Sequence, residues 1–97
     1  MHEIRFSTAA QKYFKKLRDK KLKYSFYEAI YKISENPYIG AQKSGDLAVF
    51  YGYDVYHNSV NYEIAYLISE IKVKMIVILL TGTRENFYEE LKRMHKK

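Results

Sequence analysis

The apolar run VKMIVILL, residues 73–80, is the feature that most constrains what this chain can fold into. From Met75 onward apolar residues occupy consecutive positions, so both sides of an extended segment would be apolar. Strands that are buried on both faces show such continuous runs, whereas half-exposed strands alternate. The run is also much shorter than the roughly 20 apolar residues that a membrane span requires. It therefore predicts a central strand of a sheet.

The first half of the chain predicts a strand followed by two helices. Residues 2–6 alternate between polar and apolar side chains, and Thr8 with Gln11 forms a capping box at the start of a first helix. Apolar residues then recur at three-and-four spacing through both helices, and the second helix ends at Asn36 and Pro37. The predicted inward side chains are Ala10, Tyr13, Phe14, Leu17, Leu22, Phe26, Ala29, Ile30 and Ile33.

The second half predicts further strands, because the apolar period changes to two from Val49. One side of the first of these strands is expected to carry Leu47, Val49, Tyr51, Tyr53 and Val55. After a turn at Asn58 and Ser59, the next strand should direct Tyr62, Ile64, Tyr66 and Ile68 to one side. The fold class is thus α+β: a small antiparallel sheet in βααβββα order, with a two-helix hairpin packed on one face and a short C-terminal helix. Residues 1–97 are expected to form a single domain.

Charge is distributed unevenly along the sequence. The net charge is +6, with +6 in residues 1–24, −4 in residues 25–71 and +4 in the remainder. A field of this kind favours a polyanion or an acidic protein partner. The lysines assigned to the outer face of the first helix, Lys12, Lys15, Lys16 and Lys20, are candidates for phosphate contacts, although lysines at such positions also serve merely to keep a domain soluble.

The N-terminus and the cysteine count bear on location. MHEIRF contains no basic segment followed by an apolar run, so no export signal is expected. The absence of cysteine excludes a disulfide scaffold and thiolate metal sites, and it suits a reducing cytoplasm. His2, His57 and His95 lack the short spacing of metal ligands, so we expect neither a metal nor another cofactor.

Four stretches in this order resemble the RelE/ParE superfamily of bacterial toxin-antitoxin toxins. They are the basic helical hairpin ending in ENP at residues 35–37, GDL at residues 45–47, NYEIAY at residues 61–66, and GTRENFY at residues 82–88. The resemblance covers nearly the whole chain. It implies a compact microbial RNase-type fold and, for the RelE-like branch, a metal-independent endoribonuclease that cleaves mRNA on the ribosome by attack of a ribose 2′-OH on the adjacent phosphate.

The same resemblance assigns roles to the end of the chain and to partners. In RelE-like toxins an arginine after the last strand and an aromatic residue shortly beyond it belong to the active groove, and Arg84 and Tyr88 match them. The expected partners are mRNA, the ribosome and an acidic antitoxin. Two alternatives stay open: a ParE-like poison of DNA gyrase, and a non-catalytic interaction module with the same fold.

The general base is less well defined by the sequence. RelE carries lysines on the second strand and an arginine on the third, where this chain offers Asp54 or Tyr56 and then Glu63. Related toxins use a carboxylate or a histidine as the base. Glu63 is the leading candidate, because alternation turns it away from the apolar side of its strand, and a solvated charge at that position is the alternative. His57 is a further candidate, since histidine side chains commonly act as general acids and bases at physiological pH.

Overall fold

The computed structural model describes residues 2–47, 49–69, 75–83 and 92–93. In the described residues one strand and two helices are followed by four strands, with short 3₁₀ turns at Pro37–Ile39 and Gly45–Leu47. The elements in chain order are β1 Glu3–Phe6, α1 Thr8–Lys16, α2 Lys20–Glu35, β2 Ala41–Gln42, β3 Tyr51–His57, β4 Val60–Ser69 and β5 Met75–Thr83. The predicted C-terminal helix lies outside the described residues, apart from Lys92 and Arg93.

The strands form one five-stranded sheet in the order β1-β5-β4-β3-β2. β3, β4 and β5 are joined as the predicted antiparallel meander, and a two-residue turn with positive φ at Asn58 (50°) and Ser59 (63°) connects β3 to β4. β1 pairs in parallel with β5, so the sheet is mixed. β5 therefore has a neighbour on each side, as the apolar run predicted, and the α+β fold class is confirmed.

Both helices pack on one face of the sheet and create the main core. Phe26 and Ile33 of α2 are fully buried against Ile64 and Tyr66 of β4 and Ile78 of β5. Aromatic rings meet edge to face within this core, for example Phe14 with Phe26 at a centroid distance of 5.6 Å. The predicted inward residues of α2 are all buried. None of the helices in the described part of the chain is long and apolar enough to cross a membrane.

Two local predictions need correction. The N-cap of α1 is Ser7, whose hydroxyl accepts a hydrogen bond from the backbone of Ala10, while Gln11 donates to the Phe6 carbonyl instead of closing a box with Thr8. β3 begins at Tyr51, and Val49 is exposed instead of inward. Leu47 and Phe50 pack with Ala65 on the face of the sheet opposite α1 and α2, because a 3₁₀ turn precedes the strand and interrupts the period of two. This face, which α1 and α2 do not cover, is named the uncovered face below.

Candidate functional site

Glu63 lies on β4 within the sheet face opposite the helices. Its neighbours Tyr62 and Ile64 belong to the helix-side core, and alternation along β4 turns Glu63 the other way. The side chain opposite it on β3 is Asp54. Glu63 is nevertheless only 2% exposed, so the alternative of a solvated charge at a strand edge is wrong. A carboxylate at this depth requires a partner, since burying an uncompensated charge is costly.

Lys43 supplies that partner from the segment directly after β2. Its Nζ forms an ion pair and hydrogen bond with Oε2 of Glu63, and both side chains are almost entirely buried. The backbone of Lys43 is fixed as well, because its N–H donates to the carbonyl of Phe50 at 2.8 Å. Removing one member of a buried ion pair typically costs about 3–5 kcal/mol of stability. Substitution of either Lys43 or Glu63 alone is therefore expected to destabilise the protein.

Gly52 makes room for the pair. It sits on β3 opposite Ala41 of β2 and Ala65 of β4. A Cβ atom at this position would collide with Oε2 of Glu63 and would come within 2.8 Å of Nζ of Lys43. A glycine within a strand often marks such a close approach. The sequence contains this signal as Gly52, which interrupts the tyrosine-rich strand.

An open groove surrounds the ion pair. Its volume is about 810 Å³, and Glu63 and Lys43 contribute to its lining together with Asp54 and Gly52 of β3. One wall is formed by the loop between α2 and β2 together with β2 and the residues that follow it, up to the second 3₁₀ turn. The remaining described lining residues are Ile39, Gly40, Ala41, Gln42, Ser44, Gly45, Leu47, Tyr53 and Lys92. The groove thus brings two carboxylates and two ammonium groups together on the sheet face opposite α1 and α2.

Tyr66 is hydrogen-bonded to the loop between α2 and β2, which forms one wall of the groove. Its hydroxyl donates to the carbonyl of Pro37 at 2.7 Å and accepts from the N–H of Gly40 at 3.1 Å. The side chain is fully buried, and burial raises the pKa of Tyr66 to about 12. A Cβ atom on Gly40 would lie 2.6 Å from the Tyr66 hydroxyl oxygen and 2.8 Å from the carbonyl oxygen of Gly52, so the loop depends on this close approach.

His57 is located elsewhere. Its Nε2 lies 3.4 Å from Oδ2 of Asp19, the N-cap of α2, and its side chain is 14% exposed. Asp19 accepts hydrogen bonds from the backbone of Lys21 and Leu22. The pKa of Asp19 is lowered, chiefly by the hydrogen bond from Leu22 and in smaller part by His57. The structure therefore brings His57 to the helical hairpin and not to the groove of Glu63.

The lysines predicted to bind RNA are all exposed. Lys12, Lys15 and Lys16 lie on α1 as predicted, but Lys20 begins α2, because α1 ends at Lys16 and Asp19 caps the second helix. They belong to the helix side of the sheet, whereas the groove occupies the other face. A polyanion that contacts both the lysines and the groove must therefore extend from one face of the sheet to the other.

Arg84 and Tyr88 lie outside the described residues, so their roles stay predictions. The strand that precedes them is well defined in its pairing: β5 ends at Thr83, and Glu63 pairs with Gly82, two positions before Arg84 in the sequence. Among residues 2–47, 49–69, 75–83 and 92–93, no group of three His, Cys, Asp or Glu side chains is arranged to hold a metal ion.

Several solved toxin structures have a fold similar to that of this chain. A double arginine-to-alanine variant of the Escherichia coli toxin RelE in the free state superposes with a TM-score of 0.70 at 22% identity, over 96% of this chain and 97% of that chain. The toxin-antitoxin complex RelBE2 from Mycobacterium tuberculosis gives 0.65 at 24% identity, over 86% and 98%. The intact E. coli RelBE complex gives 0.68 at 20% identity, over 86% and 96%. The fold is thus that of small RelE-type toxins.

The family follows from the sequence itself. Residues 4–92 match the family described as the ParE-like toxin of the type II bacterial toxin-antitoxin system. This chain belongs to that family and is a type II toxin of the RelE/ParE superfamily, as the resemblance predicted. No curated protein sequence matches it at a significant level.

Proposed function

We propose that this toxin is an endoribonuclease that cleaves mRNA on the ribosome and thereby arrests translation. The observation that carries the proposal is the buried pair of Glu63 and Lys43 in an open groove on the uncovered sheet face. Cleavage of RNA through its own 2′-OH needs a base, positive charge near the phosphorane, and an acid for the leaving oxygen. The groove supplies the first two from described residues.

In the proposed mechanism Glu63 accepts the proton of the 2′-OH while the 2′ oxygen attacks the adjacent phosphorus. The bond from phosphorus to the 5′ oxygen breaks, the 5′ oxygen takes up a proton, and a 2′,3′-cyclic phosphate remains. In the free protein Glu63 and Lys43 neutralise each other. A scissile phosphate in the groove competes with Glu63 for the Lys43 ammonium, which stabilises the developing charge and leaves the carboxylate available as the base.

Arg84 and Tyr88 complete the proposed centre on the basis of the family resemblance. The guanidinium of Arg84 matches two phosphate oxygens, and the ring of Tyr88 stacks on a base or its hydroxyl transfers a proton. Lys12, Lys15, Lys16 and Lys20 are proposed to hold ribosomal RNA through phosphate contacts, which their exposure permits. His57 is retained as a weaker candidate, because its position beside Asp19 separates it from the groove.

A cognate acidic antitoxin is the proposed inhibitor. Support comes from related structures, in which a RelE-type toxin is bound to its antitoxin or to a peptide of the antitoxin RelB. We propose that a helix or strand of the antitoxin covers the groove and prevents RNA from reaching Glu63. The uncovered face of the sheet is suited to such a segment, since the described helices pack on the other face.

The second candidate function is poisoning of DNA gyrase. The family description, a ParE-like toxin, favours it. Induction of the toxin alone followed by pulse labelling separates the two: under the ribonuclease proposal protein synthesis stops first. A fall in DNA synthesis together with an SOS response, while protein synthesis continues, would replace the ribonuclease proposal with the gyrase one.

A further inference from the structure

The outer surface of α2 carries a stripe of exposed tyrosines that the groove does not use. Tyr24, Tyr27 and Tyr31 are 65%, 49% and 54% exposed. Their spacing of three and then four residues places them within about 60° of one another around the helix axis. The core residues of α2, such as Phe26 and Ile33, occupy the opposite side of the helix. Isolated exposed apolar residues need no explanation, but three rings in one row form a surface.

The middle ring of this tyrosine stripe is fixed by packing. Tyr27 leans against Phe14 of α1, with a centroid distance of 5.8 Å and a tilt of 35°. It also borders a shallow groove of about 380 Å³, to which Phe6, Gln11, Phe14, Lys15 and Lys23 contribute. Because Phe14 restrains the Tyr27 ring on one side, the exposed side is oriented before any ligand arrives. Preorganisation of this kind lowers the entropic cost of binding.

The stripe lies in a strongly basic environment. Between residues 8 and 35 the helical hairpin has eight basic and three acidic side chains. Lys20 and Lys23 lie on α2 within one turn of Tyr24, and Lys15 lines the same shallow groove as Tyr27. One of the three acids, Asp19, is occupied as the N-cap of α2. The ligand that complements this surface is therefore anionic and has flat groups that stack on aromatic rings.

We propose that Tyr24, Tyr27 and Tyr31 form a binding site for unpaired RNA bases, with the adjoining lysines contacting the phosphates. Along the axis the rings are separated by about 4.5 and 6 Å, which exceeds the roughly 3.4 Å between stacked bases. The row therefore fits nucleotides that have left a stack, the form in which RNA is usually read, and not a duplex. In α2 the exposed large apolar side chains are all tyrosines, without the aliphatic anchors of a helix-in-groove protein interface.

This proposal deepens the proposed function, because it concerns how RNA is held, but it does not depend on cleavage. The probe is a fluorescein-labelled 2′-O-methyl oligoadenylate of about 12 nucleotides, which has no 2′-OH to attack. Its partner is an oligomer of equal length and charge in which most bases are replaced by abasic residues. Anisotropy should show that the wild-type toxin binds the base-containing oligomer at least about tenfold more tightly.

Substitutions then separate stacking from general hydrophobicity. Tyr24→Leu, Tyr27→Leu and Tyr31→Leu together should abolish the preference for bases, whereas the three corresponding phenylalanine substitutions should retain it. If the triple leucine variant does not fold, Tyr24→Leu alone, at the most exposed position, should reduce the preference by about twofold to fivefold.

Three results would overturn the proposal: equal binding of both oligomers by the wild type, an unchanged preference in the folded leucine variant, or loss of antitoxin binding with RNA binding intact. The last result would identify the stripe as a protein interface. Because the probe cannot be cleaved, failure here is distinct from failure of the ribonuclease proposal, which is measured on cleavable mRNA.

Discussion

The two faces of the sheet differ in how they bury their residues. On the helix side, Phe26, Ile33, Ile64, Tyr66 and their neighbours form a continuous apolar core. On the other side a small cluster of Leu47, Phe50 and Ala65 lies beside a buried ion pair. The helix side is explained by packing alone. On the uncovered side charged groups are buried at positions where well-packed apolar residues of similar volume are often at least as stabilising. Residues that do not favour stability are expected at functional sites.

A comparison of ion pairs sharpens this difference. Arg5 and Glu3 on β1 are linked at 2.7 Å, but both are exposed, with side chains 63% and 43% accessible. Exposed pairs contribute at most about 1 kcal/mol, whereas breaking a buried pair leaves an uncompensated charge. The pair of Lys43 and Glu63 is therefore the one whose disruption should have a large effect.

The largest expected effect is the loss of protein stability when the buried ion pair of the uncovered face is broken. Lys43→Ala should lower the free energy of unfolding by about 3–5 kcal/mol, because it leaves Glu63 buried without its ammonium partner. Urea denaturation measures the change, and Arg5→Ala is the matched control, with an expected loss below about 1 kcal/mol. If the two substitutions have equal effects, the ion pair is not the distinguishing feature of this face.

The second effect is on catalysis and should leave stability largely intact. If Arg84 neutralises the phosphorane, Arg84→Ala should lose about 2–4 kcal/mol of transition-state stabilisation, and the single-turnover cleavage rate should fall by about thirtyfold to a thousandfold. Arg84→Lys should recover only part of the loss, since an ammonium lacks the two-pronged geometry. Primer extension on programmed ribosomes gives the rates, and melting temperatures confirm folding. Full cleavage by a folded Arg84→Ala protein would remove this residue from the mechanism.

The third effect connects the two faces through Tyr66, which belongs to the core but supports the groove loop. Tyr66→Phe leaves the carbonyl of Pro37 and the N–H of Gly40 without their partner, so stability should fall by about 1–3 kcal/mol. Tyr56→Phe, at a site that is 74% exposed, should have little effect. Equal unfolding free energies for the Tyr66 variant and the wild type would show that the loop does not depend on these bonds.

Tyr66 also predicts a pH dependence. Its pKa is about 12 in the folded protein, because of burial, against about 10 in the unfolded chain. The folded state thus retains the proton more strongly, so this contribution is complete below pH 10 and is lost as the pH rises from 10 through 12. Tyr66→Phe should lose less stability over that interval than the wild type, which denaturation curves at several alkaline pH values would detect.

The smallest expected effect on stability comes from the exposed lysines. Replacement of Lys12, Lys15, Lys16 and Lys20 by glutamine should change the unfolding free energy by less than about 0.5 kcal/mol per site. Ribosome binding should weaken, and its dependence on salt should flatten, since each lost phosphate contact removes about one counterion from the release term. An unchanged salt slope in a folded variant would mean that these lysines only maintain solubility.

The sequence predicted the helix side well and the uncovered side poorly, for physical reasons. Periodicity reports which residues avoid water, so it identified Phe26, Ile64 and the central strand β5. It could not indicate that Glu63 is buried, because the burial depends on Lys43, twenty positions earlier, and on the missing side chain of Gly52. The sequence also could not indicate that His57, at the end of β3, lies beside Asp19, because the packing of α2 against β3 brings these two residues together.

The central claim is that the uncovered face is the catalytic centre, and Glu63→Gln tests it most directly. Glutamine keeps the size of the side chain and one acceptor oxygen for the Lys43 ammonium, but it cannot take a proton from the 2′-OH. The control is Glu28→Gln, at an exposed position of α2. In single-turnover cleavage of mRNA on programmed ribosomes, the cleavage rate of folded Glu63→Gln should fall by about a hundredfold or more, and that of the control should not change. Cleavage at the wild-type rate by folded Glu63→Gln would contradict it.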